Sequence, residues 1–343
     1  MRIAIDAMGG DFAPHKVIEG TVEAANEYPY QLTLVGDEKI ISAELDKYDT
    51  PQPNIKICPA SEVIGMKETP GKACRTKKDA SIVIATKLVA ENKTEAIVSA
   101  GNSGAVMAAS LMYLGRLTSV RRPAIASFVP TLKGLSIILD VGANVDCKPE
   151  HLFQFAIMGN IYAQSILKKE KPRIALLSIG EEEGKGNELS LVAYELLRNS
   201  SLDFIGNIEG SEIPKGKADV IVCDGFVGNT ILKFGEGLAE VIFELAKEEL
   251  KSHPFRTTIS GLLLKTIFQE IKKKTDYDEY GGAPLLGVNG ICIIAHGKSN
   301  AKAIKNAIRV AGESIEQRIN EKINSELDKY NLEKINSSVN KNA

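Results

Sequence analysis

Apolar, β-rich runs alternate with segments of helical periodicity along almost the whole chain. The pattern predicts strands at Arg2–Asp6, Gln31–Val35, Asn54–Cys58, Ala96–Ser99, Ala124–Val129, Leu135–Val141, Arg173–Ile179, Phe204–Asn207, Asp219–Cys223 and Ile291–Ala295. Helices are predicted at His15–Ala25, Ala80–Ala90, Gly104–Leu114, Pro149–Leu167, Glu188–Leu197, Val227–Lys251 and Asn300–Lys329. Several strands are unbroken apolar runs, as expected when helices cover both faces of a sheet. Alternating βα units imply a three-layer α/β/α fold around a mostly parallel sheet. Pro123–Asn144 breaks the rhythm, because two apolar runs flank Thr131-Leu-Lys-Gly134 and read as a hairpin. The sheet is therefore expected to be mixed. Residues 1–329 read as one α/β domain, and the polar tail 330–343 is expected to fray.

Glycine-rich turns fall where strands hand over to helices. The opening Asp6-Ala-Met-Gly-Gly-Asp11 runs from a strand to Pro14 at a helix start. Backbone N–H groups at such a turn, with a helix dipole behind them, suit a phosphate or another anion. Related turns follow at Ser99-Ala-Gly-Asn-Ser-Gly-Ala105, Leu139-Asp-Val-Gly-Ala-Asn144, Leu177-Ser-Ile-Gly-Glu-Glu-Glu-Gly-Lys-Gly-Asn187 and Asp224-Gly-Phe-Val-Gly-Asn-Thr230. Asp6, Gly9, Gly10, Asp11, Gly101, Asn102, Ser103, Gly104, Asp140, Asn144 and His296 are the candidate binding residues. Asn102, Ser103, Asp140, Asn144 and Asn229 are also residue types that cap neighbouring backbone. Ligands of parallel sheets bind beyond the carboxyl ends of the strands, so the turns are expected to share one edge. Gly281-Gly-Ala-Pro-Leu-Leu-Gly-Val-Asn-Gly290 is glycine-rich enough to read as an ordered loop.

Composition removes several function classes. The net charge is -2 over 343 residues, so nothing global points to nucleic acid. Cys58, Cys74, Cys147, Cys223 and Cys292 form no C-x-x-C pair, which fits a reducing cytoplasm and neither a disulfide framework nor a zinc cluster. No signal-peptide pattern opens the chain, and no uncharged apolar run reaches membrane-spanning length. There is no G-x-G-x-x-G fingerprint, nucleophile elbow or H-E-x-x-H, and His15, His151, His253 and His296 offer no obvious metal set. Neither a metal nor a cofactor is expected.

These segments, in this order, resemble the PlsX family of bacterial phosphate acyltransferases. The resemblance rests on Asp6–Asp11, Ser99–Ala105, Leu139–Asn144, Ser178–Asn187, Asp224–Thr230, Gly281–Gly290 and Ala295-His-Gly297, and extends to about residue 320. Three positions depart from the family pattern: Ser103 stands for a threonine, Ala80 for a serine and Lys298 for a serine. The resemblance implies conversion of long-chain acyl-[acyl-carrier-protein] and inorganic phosphate into acyl phosphate, which feeds a membrane glycerol-3-phosphate acyltransferase. It implies a fold similar to phosphate acetyltransferases and isocitrate-type dehydrogenases, a cytoplasmic homodimer, and peripheral attachment to the inner membrane face. Lys185 is implied as the phosphate-orienting charge, and Asn229 as a donor to carbonyl or phosphate oxygen. A short-chain acyl-CoA enzyme and a non-catalytic membrane adaptor are the alternatives.

The stretch Ser252–Lys274 carries Ile259, Leu262, Leu263, Leu264, Ile267 and Phe268 mostly on one helical face, with lysines at its margins. That composition suits an amphipathic tip lying on a membrane, although a dimer interface has the same signature. The lysines, with Arg116, Arg121 and Arg122, would also suit an acidic carrier protein.

Overall fold

The computed structural model describes residues 1–48, 53–252 and 279–330, with the side chains of 250–252 left aside. Eleven strands form one sheet in the order β3-β2-β1-β4-β11-β10-β5-β6-β9-β7-β8. They are β1 (Arg2–Asp6), β2 (Gln31–Gly36), β3 (Ile55–Pro59), β4 (Ala96–Ser99), β5 (Ala124–Thr131), β6 (Gly134–Leu139), β7 (Ile174–Leu177), β8 (Phe204–Ile208), β9 (Val220–Val222), β10 (Ala283–Leu286) and β11 (Ile291–Ile294). Helices α1 (His15–Glu27), α2 (Glu38–Leu45), α3 (Pro70–Thr76), α4 (Ser81–Ala90), α5 (Ser103–Tyr113), α6 (Pro149–Ser165), α7 (Glu188–Arg198), α8 (Gly225–Ser252), α9 (Ala301–Glu316) and α10 (Ile319–Lys329) cover it. A 3₁₀ turn at Gly210–Lys215 leads into β9.

The sheet is two parallel blocks facing opposite ways. Strands β3, β2, β1, β4 and β11 run parallel to one another, as do β6, β9, β7 and β8. Between them lie two hairpins, β5–β6 and β10–β11, joined through the antiparallel pair β10·β5. Three antiparallel pairings in succession reverse the strand direction, so the second block runs against the first. The interior strands are dry: all four residues of β4 and all three of β9 are buried. Helices α1 and α9 pack Val17, Ile18, Val22, Ile304 and Ile308 against one face of the first block. On the second block, α6 buries thirteen of its seventeen residues between the sheet and helices α7 and α10. Burial of these apolar side chains is the main term holding the three layers together.

Several expectations need correction. Gly281–Gly290 is not merely a loop, since Ala283–Leu286 pairs with both β11 and β5. The glycines serve its ends: Gly281, Gly282 and Gly287 have φ of +80°, +86° and +91°, which side chains rarely adopt. The predicted helix Asn300–Lys329 is two helices, broken at Arg318 in the left-handed region (φ 50°). The break turns Ile319, Ile323 and Leu327 onto α6, whereas α9 serves the first block. The helices Glu38–Leu45 and Pro70–Thr76 are additional to the predicted set; each is shorter than the periodicity that marks a helix in sequence. Tyr330, placed with the tail, is docked: its ring meets Phe153 edge-on at 5.1 Å, and its hydroxyl lies 2.6 Å from Ser201 Oγ. Residues 331–343 lie outside the described residues, as does the amphipathic stretch from residue 253, with Ile259, Leu262, Leu263, Leu264, Ile267 and Phe268.

Candidate active site

The glycine turns do not share one edge. Those after β1, β4 and β11 leave the carboxyl ends of the first block, and those after β6, β7 and β9 leave the carboxyl ends of the second. Because the blocks are antiparallel, the two sets emerge at opposite strand ends. Hydrogen bonds then tie the first set together, and in the second they join the turn after β6 to the start of α8, Gly225 N donating to Asn144 O at 2.8 Å.

In the first cluster, Asp6 is 2% exposed and accepts Ser99 Oγ at 2.7 Å. Burial raises its carboxyl above the usual range, opposed by hydrogen bonds from Ser81, Ser99 and the Met8 and Gly9 backbone. Gly9 crosses this carboxylate so closely that a Cβ there would lie 2.5 Å from Asp6 Oδ2 and 2.9 Å from Gly101 N. Gly10 takes φ +112° against Ala100, and Asp11 N donates to Gly297 O at 2.7 Å. The Gly101 N–H donates to Ser99 Oγ. Asn102 spends both ends of its amide: Oδ1 caps α5 by accepting Ala105 N, and Nδ2 reaches the carbonyls of Gly65, Met66 and Glu68. Gly104 lies under Pro70, while Ser103 is exposed on the first turn of α5. His296 is exposed, and its Nδ1 accepts the backbone N–H of Lys298. Asp6, Gly9 and Gly101 thus interlock with one another, while Gly10 packs on Ala100 and Gly297 and Asn102 ties the start of α5 to residues 65–68.

The second cluster is built on Asp140, fully buried at the end of β6. Its carboxylate accepts Ile125 N at 3.0 Å, Ala143 N at 3.1 Å, Asn144 N at 2.6 Å and Asn144 Nδ2 at 2.9 Å. Burial raises its pKa and these four bonds oppose the rise. Asp140 has no face left for a ligand, so it is a brace rather than a contact. Asn144 passes the brace on, donating from Nδ2 to Pro123 O at 2.7 Å. The first turn of α8 packs on this loop. Gly228 lies so close that a Cβ would stand 1.9 Å from Asp140 O, and one on Gly225 would stand 2.8 Å from Asp140 Oδ2.

Capping decides the role of Asn229. The cap of α8 is Asp224, whose Oδ1 accepts Phe226 N and Val227 N, each at 2.9 Å. Asn229 is exposed, and its amide makes no hydrogen bond among the described residues. It is free to donate to something outside the chain. Asp224 is not among the predicted site residues, although a carboxylate between a strand and Gly225 is the usual signal of an N-cap.

Lys185 stands in a similar position after β7, the strand beside β9. Two of the three acids of its loop are paired with cations from elsewhere in the chain. Glu181 pairs with Lys217 at 2.9 Å, Glu183 pairs with Arg198, and Asn187 caps α7 through Ser190 N. Asn207 Nδ2 holds Glu182 O at 3.0 Å, and Ser178 Oγ holds Lys185 O at 2.9 Å. Gly186 takes φ +131°, and a Cβ there would strike Ser190 Oγ. The Lys185 side chain is exposed and joins no ion pair among the described residues. A fixed backbone therefore presents an uncommitted ammonium and an uncommitted amide from the segments that follow two neighbouring parallel strands. Among the described residues, no group of three or more His, Cys, Asp or Glu could hold a metal ion.

The fold is of the phosphotransacylase type. A crystal structure of a phosphotransacetylase from Streptococcus pyogenes matches it with a TM-score of 0.64 at 17% identity, covering 92% of this chain and 94% of that one. The chain belongs to the PlsX family of phosphate acyltransferases: the family model described as fatty acid synthesis protein matches residues 1–322. It is 53% identical to the phosphate acyltransferase of Dictyoglomus turgidum over 331 residues, 96% of this chain and 98% of the relative. It is 54% identical to that of Heliobacterium modesticaldum over 318 residues, 92% of this chain and 95% of the relative.

Proposed function

We propose that the chain moves a long-chain acyl group from an acyl-carrier-protein thioester to inorganic phosphate, with Lys185 and Asn229 as the groups that touch the reactants. The observation that carries the assignment is their shared condition: both lie exposed and unpaired on braced turns at the ends of β7 and β9. Hydrogen phosphate is itself a nucleophile at neutral pH, so no serine or cysteine needs activation. A phosphate oxygen attacks the thioester carbon and the carbonyl electron pair moves onto oxygen. Collapse expels the sulfur, which takes the proton that phosphate carried, leaving acyl phosphate and a free thiol. The Lys185 ammonium neutralises and orients phosphate, and the Asn229 amide donates to the developing oxyanion. Positioning and preorganised donors are the two terms such a reaction needs.

The turns at Gly9–Gly10 and Gly101–Gly104 are framework in this reading, because the Gly101 N–H and the Asn102 amide are already spent inside the chain. Incubation with long-chain acyl-carrier protein, with and without phosphate, tests the reaction. Equal, phosphate-dependent release of thiol and acyl phosphate is expected; thiol release without phosphate would make the protein a thioesterase.

The proposed active form is a homodimer. Along α8, beyond Ile231, which packs on the chain's own core, Phe234, Leu238, Val241 and Leu245 recur at alternating spacings of four and three. Phe234 is 70% exposed and Leu245 60% exposed in the single chain. This is the seam spacing of paired helices. No helix among the described residues is long and apolar enough to cross a membrane. Peripheral attachment through the stretch following α8 completes the proposal.

A further inference from the structure

Beside the second cluster lies a pair of arginines that the chemistry above does not use. Arg121 and Arg122 are both exposed, and neither joins an ion pair among the described residues. Their backbone is nevertheless held firmly. Gln154, fully buried on α6, accepts Arg121 N at 2.7 Å through Oε1 and donates to Ser119 O at 2.7 Å through Nε2. Arg116, grouped with them on sequence grounds, is engaged differently, because its guanidinium donates to the carbonyls of Val120 and Arg121. The next residue after the pair, Pro123, offers the carbonyl that Asn144 holds at 2.7 Å. Arg122 lies near enough to Cys147 on the loop after β6 and His151 on α6 for its charge to act on both. Lys148 on that loop is exposed and outside every ion pair among the described residues.

A buried glutamine thus anchors the backbone that carries two consecutive exposed arginines, neither in an ion pair among the described residues, next to the loop that packs on the start of α8. Two consecutive exposed cations outside any ion pair among the described residues give this stretch a local positive charge that an anionic partner would relieve. Building on the acyl-transfer reading, we propose that Arg121 and Arg122, flanked by Lys148, form the docking surface for the acidic face of the carrier protein that delivers the acyl chain. Guanidinium pairs suit carboxylates on a partner helix, and charge at the rim of a site acts chiefly on encounter with the partner.

The test compares the full-length protein with R121E/R122E and R121K/R122K on three donors: acyl-carrier protein, acyl-CoA and acyl-pantetheine. Charge reversal is expected to raise KM for acyl-carrier protein by about tenfold or more and to flatten its salt dependence. Expected to stay within about twofold are kcat and the KM for phosphate, which also shows that the variant folds. The lysine pair should retain most of the affinity, and acyl-pantetheine should be used equally by all three proteins. An unchanged KM for acyl-carrier protein would overturn the proposal, as would an equal rise with acyl-pantetheine. A matching rise with acyl-CoA would assign the arginines to the pantetheine phosphate instead of a protein face, which also overturns it. If the wild-type protein forms no acyl phosphate from any donor, the reaction reading fails. Direct titration with acyl-carrier protein then still decides the surface.

Discussion

Asn229 lies across Gly142: a Cβ built on that glycine would stand 3.8 Å from Asn229 Cβ and 3.9 Å from its Oδ1. Gly142 also holds φ +129°, a conformation that costs other residues roughly 1–3 kcal/mol. At that distance an added methyl makes only ordinary contact with Asn229. Gly142→Ala therefore acts through the strained backbone of the loop beneath the amide and should lower the melting temperature modestly while it shifts that loop. Turnover is expected to fall by about tenfold or more, on the scale of a mispositioned reacting group, with little change in secondary structure by circular dichroism.

Lys185 and Asn229 have no partners to lose among the described residues, so their alanine variants should keep the wild-type melting temperature. The proposed roles predict a loss of acyl phosphate formation on the order of 10²–10³ for Asn229→Ala, the usual effect of removing an oxyanion donor. Lys185→Ala should lose a comparable amount, with Lys185→Arg recovering part of it because the charge remains. Near-normal rates in both folded alanine variants would remove these residues from the chemistry.

Asp6 is a buried carboxyl whose folded pKa lies above its unfolded value. Ionised Asp6 therefore costs stability above its folded pKa, and the cost disappears as pH falls toward the ordinary carboxylate range. In Asp6→Asn the side chain can still accept Met8 N and meet Ser99 Oγ. The variant should gain on wild type at pH 8 and lose that advantage near pH 4, as followed by thermal melts across pH. A constant difference across that range would show that Asp6 does not titrate there.

Asp140 differs from Asp6 because its four hydrogen-bond donors point at both oxygens. Asp140→Asn would turn an NH₂ toward N–H donors, and Asp140→Ala would leave several buried groups unpaired at about 1–3 kcal/mol each. Both should lower the melting temperature and the turnover together. A variant that lost turnover while keeping its stability would mean that Asp140 touches substrate.

Self-association through α8 predicts that Phe234→Glu with Leu238→Glu yields a monomer by sedimentation. The seam would then carry charges where it now presents exposed apolar side chains. A dimer that survived both changes would place the interface elsewhere.

Most elements are legible in the sequence because their signals are local. The apolar runs of β1, β4 and β11, and the glycine turns after them, are written in short contiguous stretches. β10 is hidden because its signal is cut short by glycines on both sides, and because its partner β5 lies far away in the sequence. The break at Arg318 is hidden too, since the periodicity on either side is helical and only the two different surfaces beneath α9 and α10 require a bend.

The sequence by itself determined the class of fold, the strand-to-helix handovers and the two polar residues, Lys185 and Asn229, proposed to meet the substrates. Tertiary structure decided how the turns are distributed. Two central hairpins reverse one block of strands against the other, which separates turns that look alike in sequence. It also decided that Asp140 and Asn102 are braces, that Asp224 caps α8, and that Asn229 is consequently free. A side chain's availability depends on which groups surround it, and those groups come from strands and helices far away along the chain.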